Sequence, residues 1–168
     1  MLKTVLPTVL LAILLPGPAQ AGPHYLAVES WEDSMVTMQE RVDEVLDTDP
    51  EAEQTGWNEI SWDDGEVILT LDPTSTTDGH VIQASSAMSK CPRGSYCAFS
   101  KRNYAGDRLK VSSCRNRSTT AMTAVNSVAN ARTSGIVRAY NGNIRVATVT
   151  ARSGKSSITS KVTRLTCG

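Results

Sequence analysis

The chain has 168 residues, 40% of them hydrophobic and 20% charged. That length fits one domain, or one domain with an appendage, and the composition excludes both a disordered polyelectrolyte and a membrane-embedded bundle. Lysine and arginine total 17, as do aspartate and glutamate, so bulk charge selects no partner. The charges are nevertheless separated along the chain. Residues 22–90 carry 16 acids against Arg41 and Lys90, a net −14, whereas residues 91–168 carry 14 bases against Asp107, a net +13. Such a step marks a boundary near residue 90. We read the blocks as neutralising each other through docking of the acidic segment on the basic domain. The alternative is that the acidic piece masks a basic surface until a partner displaces it.

Residues 1–21 have the layout of a secretory signal peptide. Lys3 is the positive n-region, Val5 to Leu15 an apolar core interrupted by Pro7 and Thr8, and Ala19-Gln20-Ala21 a small-x-small cleavage site. The mature chain is expected to begin at Gly22. The apolar run is shorter than the roughly 20 residues of a membrane span. No later stretch approaches that length, so no transmembrane segment and an extracellular, secreted product are expected.

Residues 22–71 read as an acidic helix followed by a β-hairpin. Ser30 is placed to cap a helix with Asp33 three residues on, and Glu32 and Asp33 suit its positive end. Met35, Met38, Val42, Val45 and Leu46 recur at helical spacing on one face, and Asp49-Pro50 ends the run. Two strand-like runs, 57–62 and 66–71, flank Asp63-Asp64-Gly65, whose Asp-Gly pair is a hairpin signal. Asp63, Asp64 and Glu66 lack the spacing of an EF-hand loop and read as solvated turn charges. All three tryptophans (Trp31, Trp57, Trp62) lie here. A piece of about 50 residues has too little core to fold alone, which is why docking is expected. Residues 72–90, rich in Asp, Ser and Thr, read as a linker.

In residues 91–168 turn signals recur at Pro92-Arg93-Gly94, Ala105-Gly106, Asn141-Gly142 and Ser153-Gly154. Runs rich in Val, Ile, Thr and Tyr at 135–140, 143–151 and 156–165 read as strands, the first two joined by a tight turn at Asn141-Gly142. The pattern predicts a small antiparallel β-sandwich. The four cysteines, Cys91, Cys97, Cys114 and Cys167, all fall in this block. In an oxidising compartment they imply two disulfides. Three pairings are open. Cys91–Cys97 with Cys114–Cys167 is preferred, because it closes one short Pro- and Gly-containing loop and ties the far end of the domain to its middle. A zinc site is disfavoured, since no Cys-x-x-Cys pair occurs and His24 and His80 lie outside the block.

Phe99, four residues, Tyr104, one residue, then Gly106 resembles the βγ-crystallin Greek-key signature. Ser127, in Val125-Asn126-Ser127-Val128, is the matching serine for the folded turn. Together with Cys91-Pro92-Arg93-Gly94-Ser95-Tyr96-Cys97, Asn103-Tyr104-Ala105-Gly106, Leu109, Ser113-Cys114 and the terminal Cys167, residues 91–168 resemble a family of secreted actinobacterial peptidase inhibitors with a βγ-crystallin-like fold, of metalloproteinase inhibitor type. The resemblance implies a mainly β protein. Its core would be a small disulfide-stapled βγ-crystallin-like Greek-key sandwich preceded by an acidic α plus β-hairpin segment. In that fold Gly106 takes positive φ and Tyr104 packs over the hairpin. Unlike many relatives, this domain has no tryptophan. Aligned on Ser127, the calcium-ligand positions of calcium-binding crystallins fall on Met122 and Thr123, which offer no carboxylate, so no calcium site is expected.

Catalytic constellations are missing from the sequence. There is no His-Glu-x-x-His, no nucleophile patterned with His24 or His80, no second carboxylate beside Asp107 in the basic block, and no glycine-rich phosphate loop. No enzyme, cofactor or metal is expected. Asn116-Arg117-Ser118 fits a glycosylation sequon that is common by chance. The favoured function is a secreted inhibitor of an extracellular peptidase; its reactive loop is either the exposed 100–103 loop, with Lys101 and Arg102 as inhibitory contacts, or the exposed Cys91–Cys97 loop. The alternative is a secreted basic module for polyanions such as cell wall, an anionic surface or nucleic acid. A third reading is a secreted structural or toxin-like protein in which residues 22–90 act as an internal chaperone or mask.

Overall fold

The computed structural model describes residues 24–73 and 86–168, with side chains in the first helix from Asp33 onward. The signal segment 1–21 and most of the linker expected over 72–90 lie outside the described residues. The first helix, α1, runs His24–Thr48. It starts six residues ahead of the expected Ser30 cap. Residues 24–29 contain neither Gly nor Pro, so nothing stops the helical bonds from propagating back towards Gly22-Pro23, and proline is tolerated only in a first turn. The helix ends ahead of Asp49-Pro50, as the sequence reads. Along its apolar stripe Met38, Val42 and Val45 are buried and Leu46 packs against the core, whereas Met35 is exposed.

Strands β1 (Glu53–Gly56), β2 (Glu59–Trp62) and β3 (Val67–Thr70) follow as an antiparallel meander. The β2–β3 turn holds Asp63, Asp64 and Gly65 all at positive φ. A single-turn helix, α2 (Ala87–Lys90), precedes β4 (Tyr96–Lys101) and β5 (Ala105–Val111). Then come β6 (Arg117–Ser118), β7 (Ser127–Asn130), β8 (Ile136–Asn141), β9 (Ile144–Thr150), β10 (Ser153–Lys155) and β11 (Arg164–Cys167).

The strands form two antiparallel sheets. One has the order β1-β2-β3-β5-β4-β7-β10, the other β6-β11-β8-β9. The larger sheet crosses the charge boundary, because β3 pairs with β5 in the register Val67↔Val111, Leu69↔Leu109 and Thr70↔Arg108. Alternation along its strands puts Ile60, Trp62, Val67, Leu69, Tyr96, Ala98, Leu109, Val111 and Val128 on one face. That face joins Met38, Val42 and Val45 of α1 and Val137, Ala139, Val149 and Leu165 of the smaller sheet in one core. The opposite face carries a satellite cluster of Cys91, Cys97, Phe99, Ala129 and Ala131, with Ala87 and Tyr104 packed on it. Two disulfides staple the block, Cys91–Cys97 and Cys114–Cys167, with Cα–Cα distances of 5.7 and 5.0 Å.

Three features of this block differ from the sequence reading. The strand expected over 156–165 is absent; residues 156–163 are irregular, and only 164–167 form β11. The reason is topological. Lys155 pairs with Val128 in the larger sheet and Arg164 with Tyr140 in the smaller one, so the intervening chain must cross between sheets. It is pinned by buried Ile158 and Val162. Ala105-Gly106 and Ser153-Gly154, expected as turns, lie inside β5 and β10. At Gly154 the constraint is close approach: a Cβ there would come within 2.6 Å of both Ala87 Cβ and Tyr104 Oη. The β8–β9 hairpin turns at Gly142-Asn143, one residue later than read, with Asn141 paired to Ile144.

Candidate functional site

The candidate site is built on the β4–β5 hairpin. β4 ends at Lys101, and the chain makes a single 3-10 turn over Arg102–Tyr104 before β5. Asn103 and Tyr104 both sit in the left-handed region, at φ 57° and 59°. Such a conformation persists in non-glycine residues only where surrounding bonds fix it. Ser127 Oγ accepts a hydrogen bond from Tyr104 N (3.0 Å) and donates one to Lys101 O (2.7 Å), bracing both ends of the turn. Asn103 N donates to Ser156 O at 2.8 Å. Asn126 Nδ2 donates to Ser100 O at 2.6 Å, and Asn126 N to Phe99 O at 2.8 Å. The Phe99 and Tyr104 rings meet edge to face, 5.8 Å between centroids.

Gly106 lies where the hairpin folds back. Its φ is 76°, and a Cβ would overlap Ser100 Oγ and stand 3.2 Å from Lys101 N. Ser100 Oγ is committed there, accepting from Asp107 N at 2.8 Å. The structure thus brings together Phe99, Tyr104, Gly106 and Ser127 around one turn. Arg102 is exposed at its tip and Lys101 is half-buried at its base.

The turn shares one end of the sandwich with the 119–126 loop, the crossing segment and the β8–β9 tip. Hydrogen bonds run through them in series: Ile158 N to Asn126 O, Thr119 N to Thr163 O, Thr163 N to Tyr140 O, and Gly142 N to Thr163 Oγ1. Between the 119–126 loop and residues 159–163 lies a cleft of about 460 Å³ floored by Met122, Val125 and Val162. Threonine and serine dominate its walls, and it holds no carboxylate. Among the described residues no group of three or more His, Cys, Asp or Glu side chains could hold a metal ion.

Several residues that position this end carry no motif. Asp107, the lone acid of the basic block, is buried and accepts from Arg41 Nη2 and from Asp72 N, both at 2.8 Å. Arg41 is in turn the one base of α1 among its described side chains, and also donates to Asp72 O. The signal was present in the sequence as one acid in a basic block and one base in an acidic block. At the opposite end of the β3–β5 ladder, beyond the Val67–Val111 pair, Arg115 pairs with Asp63 (3.1 Å) and Glu66, and Arg117 lies 4.9 Å from the Trp62 ring centroid. Buried Tyr96 donates from Oη to Arg115 O at 2.7 Å. Burial pushes its hydroxyl up to about 12 against the opposing pull of Arg117, Arg115 and Arg132. Burial likewise raises Tyr104 above the ordinary tyrosine value.

Among the described residues no helix is long and apolar enough to cross a membrane. No curated protein and no solved structure matches the chain. Residues 84–144, a span that takes in α2 and β4 to β8 and ends at Ile144, match the model of peptidase inhibitor family I36, a match that points to a non-enzymatic inhibitor protein.

Proposed function

We propose that the protein is a secreted inhibitor of an extracellular peptidase, directed at a metallopeptidase, with residues 91–168 as a βγ-crystallin-like Greek-key inhibitor domain. One observation carries this reading: the family match falls on the β4–β5 hairpin and its braced turn. An inhibitor must fill a peptidase cleft with a segment held too firmly to be turned over, and prior rigidity reduces the ordering cost of binding. Lys101 and Arg102 ride on such a turn. Secretion is supported by the two disulfides, which persist in oxidising compartments. The metallopeptidase target is supported by the resemblance in the cysteine frame and the Phe99–Gly106 spacing.

We further infer that residues 22–71 stay docked in the working protein rather than being shed as a mask. The β3–β5 ladder, the Arg41–Asp107 pair and the Arg115 pairs with Asp63 and Glu66 support this.

The decisive experiment titrates the mature chain, from Gly22, against thermolysin-like, subtilisin-like and trypsin-like peptidases. Stoichiometric inhibition of the metallopeptidase is expected. Absence of inhibition of all three at micromolar concentrations removes the reading. In that case heparin retention with steep salt dependence would select the polyanion alternative.

A further inference from the structure

The smaller sheet turns Val137, Ala139, Val149 and Leu165 inward. Alternation therefore points Arg138 and Tyr140 of β8 the other way. The register sets Arg164 of β11 opposite Tyr140 on one side and, past a bulge, Arg145 of β9 opposite it on the other. The Arg164 guanidinium stacks 4.7 Å from the Tyr140 ring centroid. Arg138 lies two residues along the same face. The acidic segment engages Arg115 and Arg117, and Asp107 is taken up by Arg41. Among the described residues no carboxylate pairs with Arg138, Arg145 or Arg164. The charge step along the chain is thus compensated at the β3–β5 side and left open on this outer face.

The same hairpin ends in Ile144, which is 71% exposed, more than any other large hydrophobic side chain of the described residues. A single exposed aliphatic is ordinary. This one is set apart by its setting. It closes a two-residue turn whose Gly142 N is tied to Thr163 Oγ1, and Thr163 N is tied to Tyr140 O. The tip is therefore braced from behind, at the same end of the sandwich as the Arg102 turn. An apolar anchor on a rigid support, bordered by Tyr and Arg, has the make-up of an interface hot spot with a polar rim.

We propose that the peptidase-contacting surface is centred on Ile144, whose side chain enters an aliphatic-accepting pocket of the target, while Arg145, Arg164 and Tyr140 rest on a carboxylate-bearing rim of its cleft. The proposal rests on the peptidase-inhibitor reading and makes Ile144, rather than the neighbouring Lys101–Arg102 turn, the segment that enters the cleft. The unpaired guanidiniums supply the charge complementarity that speeds encounter and orients it, and the isoleucine supplies the buried contact.

The test uses the mature chain, the same three peptidases, and Ile144→Asp, Ile144→Leu, Arg145→Ala with Arg164→Ala, and Lys101→Ala with Arg102→Ala. The thermolysin-like enzyme, whose pocket takes bulky aliphatics, is the expected target. Ile144→Asp should raise the inhibition constant by roughly 30-fold or more. Ile144→Leu should stay near the wild-type value. The double arginine variant should slow association by about 10-fold at low salt and flatten its salt dependence. Hydrogen exchange of the wild-type complex should show protection over residues 141–146, a readout independent of any variant's folding. If Ile144→Asp inhibits as the wild type does, or inhibition is confined to the trypsin-like enzyme and vanishes with the Lys101/Arg102 variant, the proposal is overturned while the inhibitor reading stands. A wild-type chain inert towards all three enzymes removes both.

Discussion

A methyl group at position 106 would collide with Ser100 Oγ and press on the Lys101 amide, in a backbone region that side chains disfavour. Gly106→Ala is therefore expected to destabilise the protein by roughly 2–4 kcal/mol, within the range for a strained backbone position combined with a lost buried hydrogen bond. Chemical denaturation measures it. A value under about 0.5 kcal/mol, the range of an ordinary surface substitution, would mean the hairpin does not need its close approach. At this scale the sequence was readable where constraint and cause are local. Phe99, Tyr104 and Gly106 show as a spacing because one turn forces all three. Gly154 did not show, since the groups that exclude a Cβ there are Tyr104 Oη and Ala87, distant in the chain. Asn126 showed only as the neighbour of Ser127: that it bonds Phe99 and Ser100 carries no pattern of its own.

Elements were legible to the extent that their own periodicity decided them. The α1 stripe and the β2–β3 hairpin follow from spacing and from Asp-Gly. Residues 156–163 do not, because a run of Ile, Thr and Val alternating with Ser and Lys looks like a strand wherever it lies. Only the demand to pass from β10 in one sheet to β11 in the other makes it irregular. The join between α1 and the hairpin is likewise a matter between elements. Arg41 and Asp107 form a pair in which Asp107 is nearly inaccessible and Arg41 partly so. Removing one partner of a buried pair strands the other. Arg41→Ala or Asp107→Ala should each cost about 3 kcal/mol, somewhat less for the more exposed Arg41, and together far less than their sum. A double-mutant cycle by denaturation measures the coupling. Additive effects would show that the two residues act independently.

For the whole molecule, the two staples should contribute unequally. The Cys91–Cys97 bridge spans a sequence separation of 6 and the Cys114–Cys167 bridge one of 53. Loop-closure entropy assigns about 2 kcal/mol to the first and about 4 kcal/mol to the second. The Cys114→Ser/Cys167→Ser protein should therefore unfold at clearly lower denaturant than Cys91→Ser/Cys97→Ser. The reverse order would show that packing of Cys91 and Cys97 in the satellite cluster outweighs chain entropy. Parity and compartment made two bridges readable in the sequence. The charge step made two blocks readable. That one sheet runs through both was not, because strand neighbours are chosen by the assembled core rather than by either strand.

That sheet has a consequence for the boundary itself. β5 is seven residues long, and Leu109 and Val111 alternate along it with Arg108 and Lys110. In the intact chain one side is closed by β4 and the other by β3. A chain starting at Cys91 would lay that second side bare, a straight row of unpaired amides and carbonyls bordered by apolar side chains, and so a template for self-association. The outermost strand is instead β1, four residues of Glu, Gln, Thr and Gly with a register shift within it. The acidic meander thus acts as a selvedge, finishing the fabric with a short, charged margin on which another copy finds little purchase.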